Sequence, residues 1–83
     1  LRPQTTAQSL HDELSALGAA MIVDAARRLA AGQALHGQAQ DDALATHAPM
    51  LRKDDGRVDW TQQAVAIDRQ VRALNPWPGV YTE

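Results

Sequence analysis

The sequence contains no cysteine and no phenylalanine, and aromatic residues make up only 4% of its 83 positions. The absence of cysteine excludes disulfides, thiolate zinc sites and cysteine nucleophiles. Much of the 45% hydrophobic content is alanine, which buries little area. We therefore expect a marginal core unless another segment, or a second copy of the chain, completes it.

Long apolar runs are also missing, and no charged-then-apolar leader precedes the first helix pattern. A formal net charge of −2 gives no chain-wide footprint for nonspecific nucleic-acid binding, although it leaves room for a local basic patch. We expect a cytoplasmic protein without a membrane partner. The opening at Leu1 and the unfinished run at residues 80–83 favour a piece of a longer protein.

Hydrophobic periodicity predicts two helices in the first part of the chain. Thr5 and Gln8 have the spacing of a capping box, which would start the first helix. Gly18 interrupts the pattern, so the segment is either one kinked helix or two helices over residues 6–17 and 18–31. We favour two, because Gly18 suits a C-cap. The apolar stripe consists of Leu10, Leu14, Leu17, Met21, Ala25 and Leu29.

The second part of the chain reads as a linker followed by one more helix. Residues 33–47 are polar and small-residue-rich, and they offer no face to bury. Residues 48–53 could be a short extended segment, and Asp54-Asp55-Gly56 indicates a turn. A third helix is predicted over residues 61–74, with Asp59 or Thr61 as its cap. Asn75 must end it, because a residue before proline is pushed out of helical dihedral angles. The segment is therefore mainly α.

No catalytic or metal-binding constellation stands out. The histidines are scattered and lack a ligand spacing, so surface positions are the better interpretation. Two acidic pairs could be offered for acid/base chemistry, yet no apolar sequence surrounds them to shift a pKa. Turn formation and solubility explain both pairs more simply. These residues are His11, His36 and His47, with Asp41-Asp42 and Asp54-Asp55.

Two groups of cations are candidates for binding phosphate. Arg52, Lys53 and Arg57 surround the second acidic pair, and Arg69 and Arg72 mark one side of the last predicted helix. If these side chains converge, they can bind phosphates; otherwise they form an ordinary solvated face.

The tryptophans have two interpretations as well. Trp60 and Trp77 can stack on a base or serve as large core anchors, and we favour the core because the chain has so few aromatics.

Three blocks of sequence resemble methionyl-tRNA formyltransferase. They are Ala48-Pro49-Met50-Leu51, then Asp55-Gly56-Arg57-Val58-Asp59-Trp60, then Val71-Arg72-Ala73-Leu74-Asn75-Pro76-Trp77-Pro78-Gly79-Val80-Tyr81-Thr82. The helices before them resemble the same family in the same order, so the resemblance covers nearly the whole chain. Nucleotide-sugar formyltransferases share part of these motifs.

The resemblance implies a two-domain parent enzyme with a Rossmann-like α/β domain and a C-terminal β-barrel. Residues 1–32 would be the last helices of the formyltransferase domain, residues 33–57 the interdomain linker, and residues 58–83 the start of the C-terminal domain. The family transfers a formyl group from 10-formyltetrahydrofolate to methionyl-initiator-tRNA. No residue here matches the family's catalytic or folate-binding positions, so the resemblance implies an inactive segment without a cofactor or metal site.

By position, Arg52, Lys53 and Arg57 would border the tRNA, because a linker between two tRNA-contacting domains is well placed to meet backbone phosphate. Two other interpretations are open at this point. The chain could belong to a nucleotide-sugar formyltransferase, or it could be a small helical interaction module that self-associates through its apolar stripe.

Overall fold

The computed structural model describes residues 1–83 and is mainly helical, as the sequence predicts. It has no strand, only an isolated parallel bridge between Arg57 and Tyr81. No helix in the structure combines the length and the apolar character needed to cross a membrane. The helical elements are α1 (Ala7–Ala30), a 3-10 helix (Asp42–Leu44), a second 3-10 helix (Lys53–Gly56) and α2 (Ala64–Ala73).

The first two predicted helices are one continuous helix, so the predicted break at Gly18 is wrong. α1 runs through Gly18, and positive φ values occur only at Gly32 and Gly79. A glycine inside a helix costs about 0.5–1 kcal/mol relative to alanine, which is too little to end a helix. The good helix formers on both sides of Gly18 outweigh that cost.

The cap that starts α1 lies one residue later than predicted. The Thr6 backbone N–H donates to Ser9 Oγ at 3.0 Å, and the Ser9 N–H donates to Thr6 Oγ1 at 3.1 Å. Thr5 instead accepts from the Arg2 N–H, and Gln8 donates to Asp12. Serine at the third helical position closes this reciprocal cap as glutamine would.

Gly32 ends α1 as expected. Its φ of +79° is a left-handed conformation that favours glycine. The Gln33 N–H donates to the Arg28 carbonyl at 2.9 Å, and the Gly32 N–H donates to the Leu29 carbonyl at 3.0 Å. This pair of hydrogen bonds is a Schellman motif, which satisfies the last carbonyls of the helix.

The chain divides into two compact units, one formed by Leu1–Glu13 with Met50–Glu83 and the other by Leu14–Pro49. In the second unit no hydrophobic side chain is buried. The apolar side chains of its part of α1 are about half exposed, from 47% to 66%: Leu14, Leu17, Met21, Ile22, Val23 and Leu29. The predicted domain boundaries at residues 32 and 57 stay a prediction.

The first unit has a small core at the end of α2. Leu74, 6% exposed, is the one buried hydrophobic residue of the chain, which confirms the expectation of a marginal core. α2 starts at Ala64 after Gln63 rather than at Thr61. Asp59 does not cap it, because its carboxylate accepts from the Thr61 N–H at 2.9 Å and so forms a turn before the helix.

Residues 1–13 are held against α2 by hydrogen bonds within the first unit. Arg72 Nη1 donates to the Thr5 carbonyl at 3.0 Å, and its Nε donates to Asp68 at 3.0 Å. The Gln8 N–H donates to the Asn75 carbonyl at 3.2 Å. The start of α1 and the end of α2 therefore form one local structure.

Candidate nucleic-acid interface

The corner at residues 75–79 ends α2 and turns the chain back, as the sequence predicts. α2 stops at Ala73, just before Asn75-Pro76. The Gly79 N–H then donates to the Leu74 carbonyl at 2.9 Å, with φ +79° at Gly79. The glycine therefore lets the backbone close onto the end of the helix.

Gly56 is the buried partner of this corner. A Cβ at Gly56 would overlap the carbonyl oxygen of Gly79, so only glycine fits there. The Tyr81 N–H donates to the Gly56 carbonyl, and the Val58 N–H donates to the Tyr81 carbonyl, both at 2.8 Å. We call this contact the Gly56–Gly79 junction. It joins the second 3-10 helix to the end of the chain.

Side chains extend the junction on both sides. Trp60 Nε1 donates to Thr82 Oγ1 at 2.8 Å. Gln70 Nε2, on α2, donates to the carbonyls of Asp55 and Arg57 at 2.9 and 3.1 Å. The segment around the second 3-10 helix is thereby fixed to α2 as well as to residues 79–83.

The predicted phosphate-binding residues Arg52, Lys53 and Arg57 lie on this fixed segment, and we call them the basic cluster. All three are exposed. Asp55 Oδ2 accepts from the Arg52 backbone N–H at 2.7 Å, which shapes the turn and leaves the Arg52 guanidinium without an ion pair. Arg57 Nη2 lies 2.7 Å from Glu83, but both side chains are solvated, so this pair is weak.

The other two cations do not join the basic cluster. Arg69 and Arg72 line a separate groove between α2 and residues 1–10, together with Arg2. The sequence alone gave no reason to include Arg2, because its proximity to α2 depends on tertiary contacts.

Trp60 and Trp77 are 69% and 60% exposed, so the prediction that they are core anchors is wrong for these residues. The alanine-rich chain does not supply enough apolar surface to cover two indoles. Trp60 has its ring beside a cleft with Ile67 and Val71. Exposed indole rings are available to stack on the bases of single-stranded nucleic acid.

The histidine and acidic residues are the remaining candidates for metal binding and acid/base chemistry. No group of three or more histidine or acidic side chains is placed to hold a metal ion. The hydroxyl and N–H of Thr61 donate to the Asp59 carboxylate and hold the pKa of that carboxyl below its usual range. A lowered pKa makes Asp59 a poorer proton acceptor, so its role is to shape the turn before α2.

Comparison with known proteins finds a family match over the residues that carry this geometry. Residues 50–83 match the family described as formyl transferase, C-terminal domain. The methionyl-tRNA formyltransferase of Geobacter sulfurreducens is 51% identical over 80 residues, which are 96% of this chain and 25% of that protein. The resemblance to methionyl-tRNA formyltransferase is confirmed.

Other relatives give the same result. The methionyl-tRNA formyltransferase of Pseudomonas paraeruginosa is 57% identical over 70 residues, covering 84% of this chain and 22% of that protein. That of Gluconacetobacter diazotrophicus is 51% identical over 82 residues, covering 99% of this chain and 26% of that protein. The chain thus spans about a quarter of the length of these formyltransferases, and the Gly56–Gly79 junction and the basic cluster lie inside the family match.

Proposed function

We propose that this chain is a segment of a methionyl-tRNA formyltransferase, which transfers a formyl group from 10-formyltetrahydrofolate to the amino group of methionyl-initiator-tRNA. The observation that carries the proposal is the identity of 51–57% along most of the chain to relatives with that name. We further propose that the acceptor is a tRNA and that the parent protein is cytoplasmic.

The parent protein has two domains in this proposal, with a Rossmann-like α/β domain before the linker and a β-barrel after it. Residues 1–32 end the first domain, residues 33–57 link the domains, and residues 58–83 begin the second. The half-exposed apolar stripe of α1 supports this assignment, because such a surface requires a cover in the folded protein. The chain spans only about a quarter of its relatives' length, so we assign the cover of this stripe to another part of the parent.

Catalysis and folate binding are assigned to the remainder of the parent, and the segment by itself is inactive. Recognition of a folate requires convergent polar groups inside a pocket. The resemblance places these groups elsewhere in the parent, because no residue of this chain matches the family's folate-binding positions. We therefore propose that this chain contributes to the structure of the parent and to binding of the acceptor.

The basic cluster is the proposed contribution to acceptor binding. Arg52 and Lys53 have exposed side chains without ion pairs, and Arg57 has only a solvent-exposed ion pair with Glu83. The junction and Gln70 fix the backbone that carries them. Cations on a fixed backbone position a nucleic acid through its phosphates.

Two alternatives are not favoured. A nucleotide-sugar formyltransferase shares part of the motifs, but the relatives described above are all named methionyl-tRNA formyltransferase. A self-associating helical module would use the α1 stripe, but it gives no reason for the match at residues 50–83.

An acceptor assay on the full-length protein tests the proposal. The protein should formylate methionyl-initiator-tRNA in a reaction that requires 10-formyltetrahydrofolate, and it should leave an amino-sugar nucleotide unchanged. The isolated 83-residue chain, tested in parallel, should formylate neither acceptor. Formylation of the nucleotide sugar without that of the tRNA would reject the tRNA assignment and retain formyl transfer.

A further inference from the structure

A second basic surface lies on the other side of α2, in the groove between this helix and residues 1–10. We call it the arginine groove. Its volume is about 610 Å³, and its lining includes Arg2, Arg69 and Arg72 beside the apolar residues Pro3, Leu10 and Ala73. All of these residues belong to the first compact unit.

The charge of the arginine groove has one sign. No aspartate or glutamate is among its lining residues. Arg69 is exposed and has no ion pair, and Arg2 has only a long contact of 3.7 Å with Glu13 between two exposed side chains. Such a contact contributes little in water, so the charges of Arg2 and Arg69 are largely uncompensated, whereas that of Arg72 is paired with Asp68.

Arg72 has a different part in the groove. Its guanidinium donates to Asp68 and to the Thr5 carbonyl, and its side chain is only 23% exposed. These bonds hold α2 and residues 1–10 at a fixed separation. Arg72 is therefore a positioning residue, and Arg69 is the group that is free to bind an anion.

The groove is open, and the side chains of Arg2 and Arg69 are exposed to solvent. A single small anion gains little from exposed charges, because solvent and salt screen them. A polyanion is better suited, because its phosphates are linked and each contact releases counterions. The apolar residues beside the arginines suit the sugar and base surfaces between phosphates.

We propose that the arginine groove binds a phosphodiester of the acceptor RNA, with Arg69 as the contacting residue. This inference rests on the proposed function and extends the RNA-binding surface beyond the basic cluster. α2 lies between the two surfaces, since Gln70 bonds to the backbone of Asp55 and Arg57 while Arg72 bonds to that of Thr5. An RNA backbone that crosses α2 meets cations on both sides.

The test is Arg69→Ala in the full-length protein, with tRNA binding measured by fluorescence anisotropy from 50 to 200 mM salt. Loss of one phosphate contact should weaken binding about threefold to tenfold at low salt and reduce the slope of log K against log salt by about 1. Arg69→Lys keeps the charge and should restore most of the affinity. Arg27→Ala removes an exposed arginine outside the groove and should bind like the unchanged protein.

The outcomes separate this inference from the proposed function. If Arg69→Ala binds RNA like Arg27→Ala at every salt concentration while methionyl-tRNA is still formylated, the groove assignment is overturned and the function stands. If Arg69→Ala weakens RNA binding but the unchanged protein formylates no tRNA, the groove stands and the function fails. Calorimetric titration with inorganic phosphate adds one outcome. If the unchanged protein binds phosphate saturably, and Arg69→Ala abolishes that binding while its affinity for RNA is unchanged, the RNA assignment is overturned.

Discussion

Gly56→Ala is expected to detach residues 79–83 from the second 3-10 helix. The added Cβ would overlap the carbonyl oxygen of Gly79, and that atom belongs to the backbone of a tight corner, which cannot rotate away as a side chain could. Inserting a methyl group into such a contact should lower the free energy of unfolding by about 1–3 kcal/mol. Denaturant unfolding of the full-length protein measures this loss.

The local signature of Gly56→Ala should appear at Trp60. Its indole N–H donates to Thr82, so detachment of residues 79–83 breaks that bond and shifts the tryptophan fluorescence. Gly37→Ala is the matched control, since a Cβ there meets no atom within 4 Å and the glycine has no positive φ. Equal stability of the two variants would contradict the importance of the Gly56–Gly79 junction.

The second large effect is expected from removing the basic cluster, with Arg52, Lys53 and Arg57 all changed to alanine. In the full-length protein KM for methionyl-tRNA should rise about tenfold at moderate salt, because three phosphate contacts are lost. The slope of log KM against log salt concentration should decrease by roughly 2–3. Steady-state kinetics at several salt concentrations measure both quantities.

The turnover number of this triple variant should stay nearly constant, because no residue of the cluster is assigned to the reacting atoms. The double variant Arg27→Ala with Arg28→Ala removes exposed cations from the second unit and serves as a control for net charge. A KM that does not change across the salt range would rule out the basic cluster as an RNA contact. A fall in kcat at constant KM would indicate a different role.

Features set by local geometry could be predicted from the sequence. Gly32 ends α1 and Asn75-Pro76 ends α2, because a left-handed cap and a proline restrict the backbone whatever surrounds them. The exposed positions of Arg52, Lys53 and Arg57 also followed from their polar surroundings. The expectation of a small core followed from the alanine content. It is confirmed because Leu74 is the one buried hydrophobic residue.

Features that depend on competition or on tertiary contact could not be predicted. Gly18 could stop a helix or be carried through it, and the helix formers around it decided the outcome. Thr5 and Thr6 are adjacent and could each cap α1. Thr6 is the cap because it exchanges hydrogen bonds with Ser9. The contact of Gly56 with Gly79 joins residues distant in sequence, so the Asp-Asp-Gly pattern indicated a turn and gave no sign of its partner.

A chimera tests the central claim most directly. In the methionyl-tRNA formyltransferase of Geobacter sulfurreducens, the matching stretch of 80 residues is replaced by this chain. If the chain is a segment of such an enzyme, the chimera should formylate methionyl-tRNA with kcat/KM within about tenfold of the parent, a loss of no more than about 1.4 kcal/mol. A chimera that folds and binds folate but transfers no formyl group to methionyl-tRNA would contradict the account.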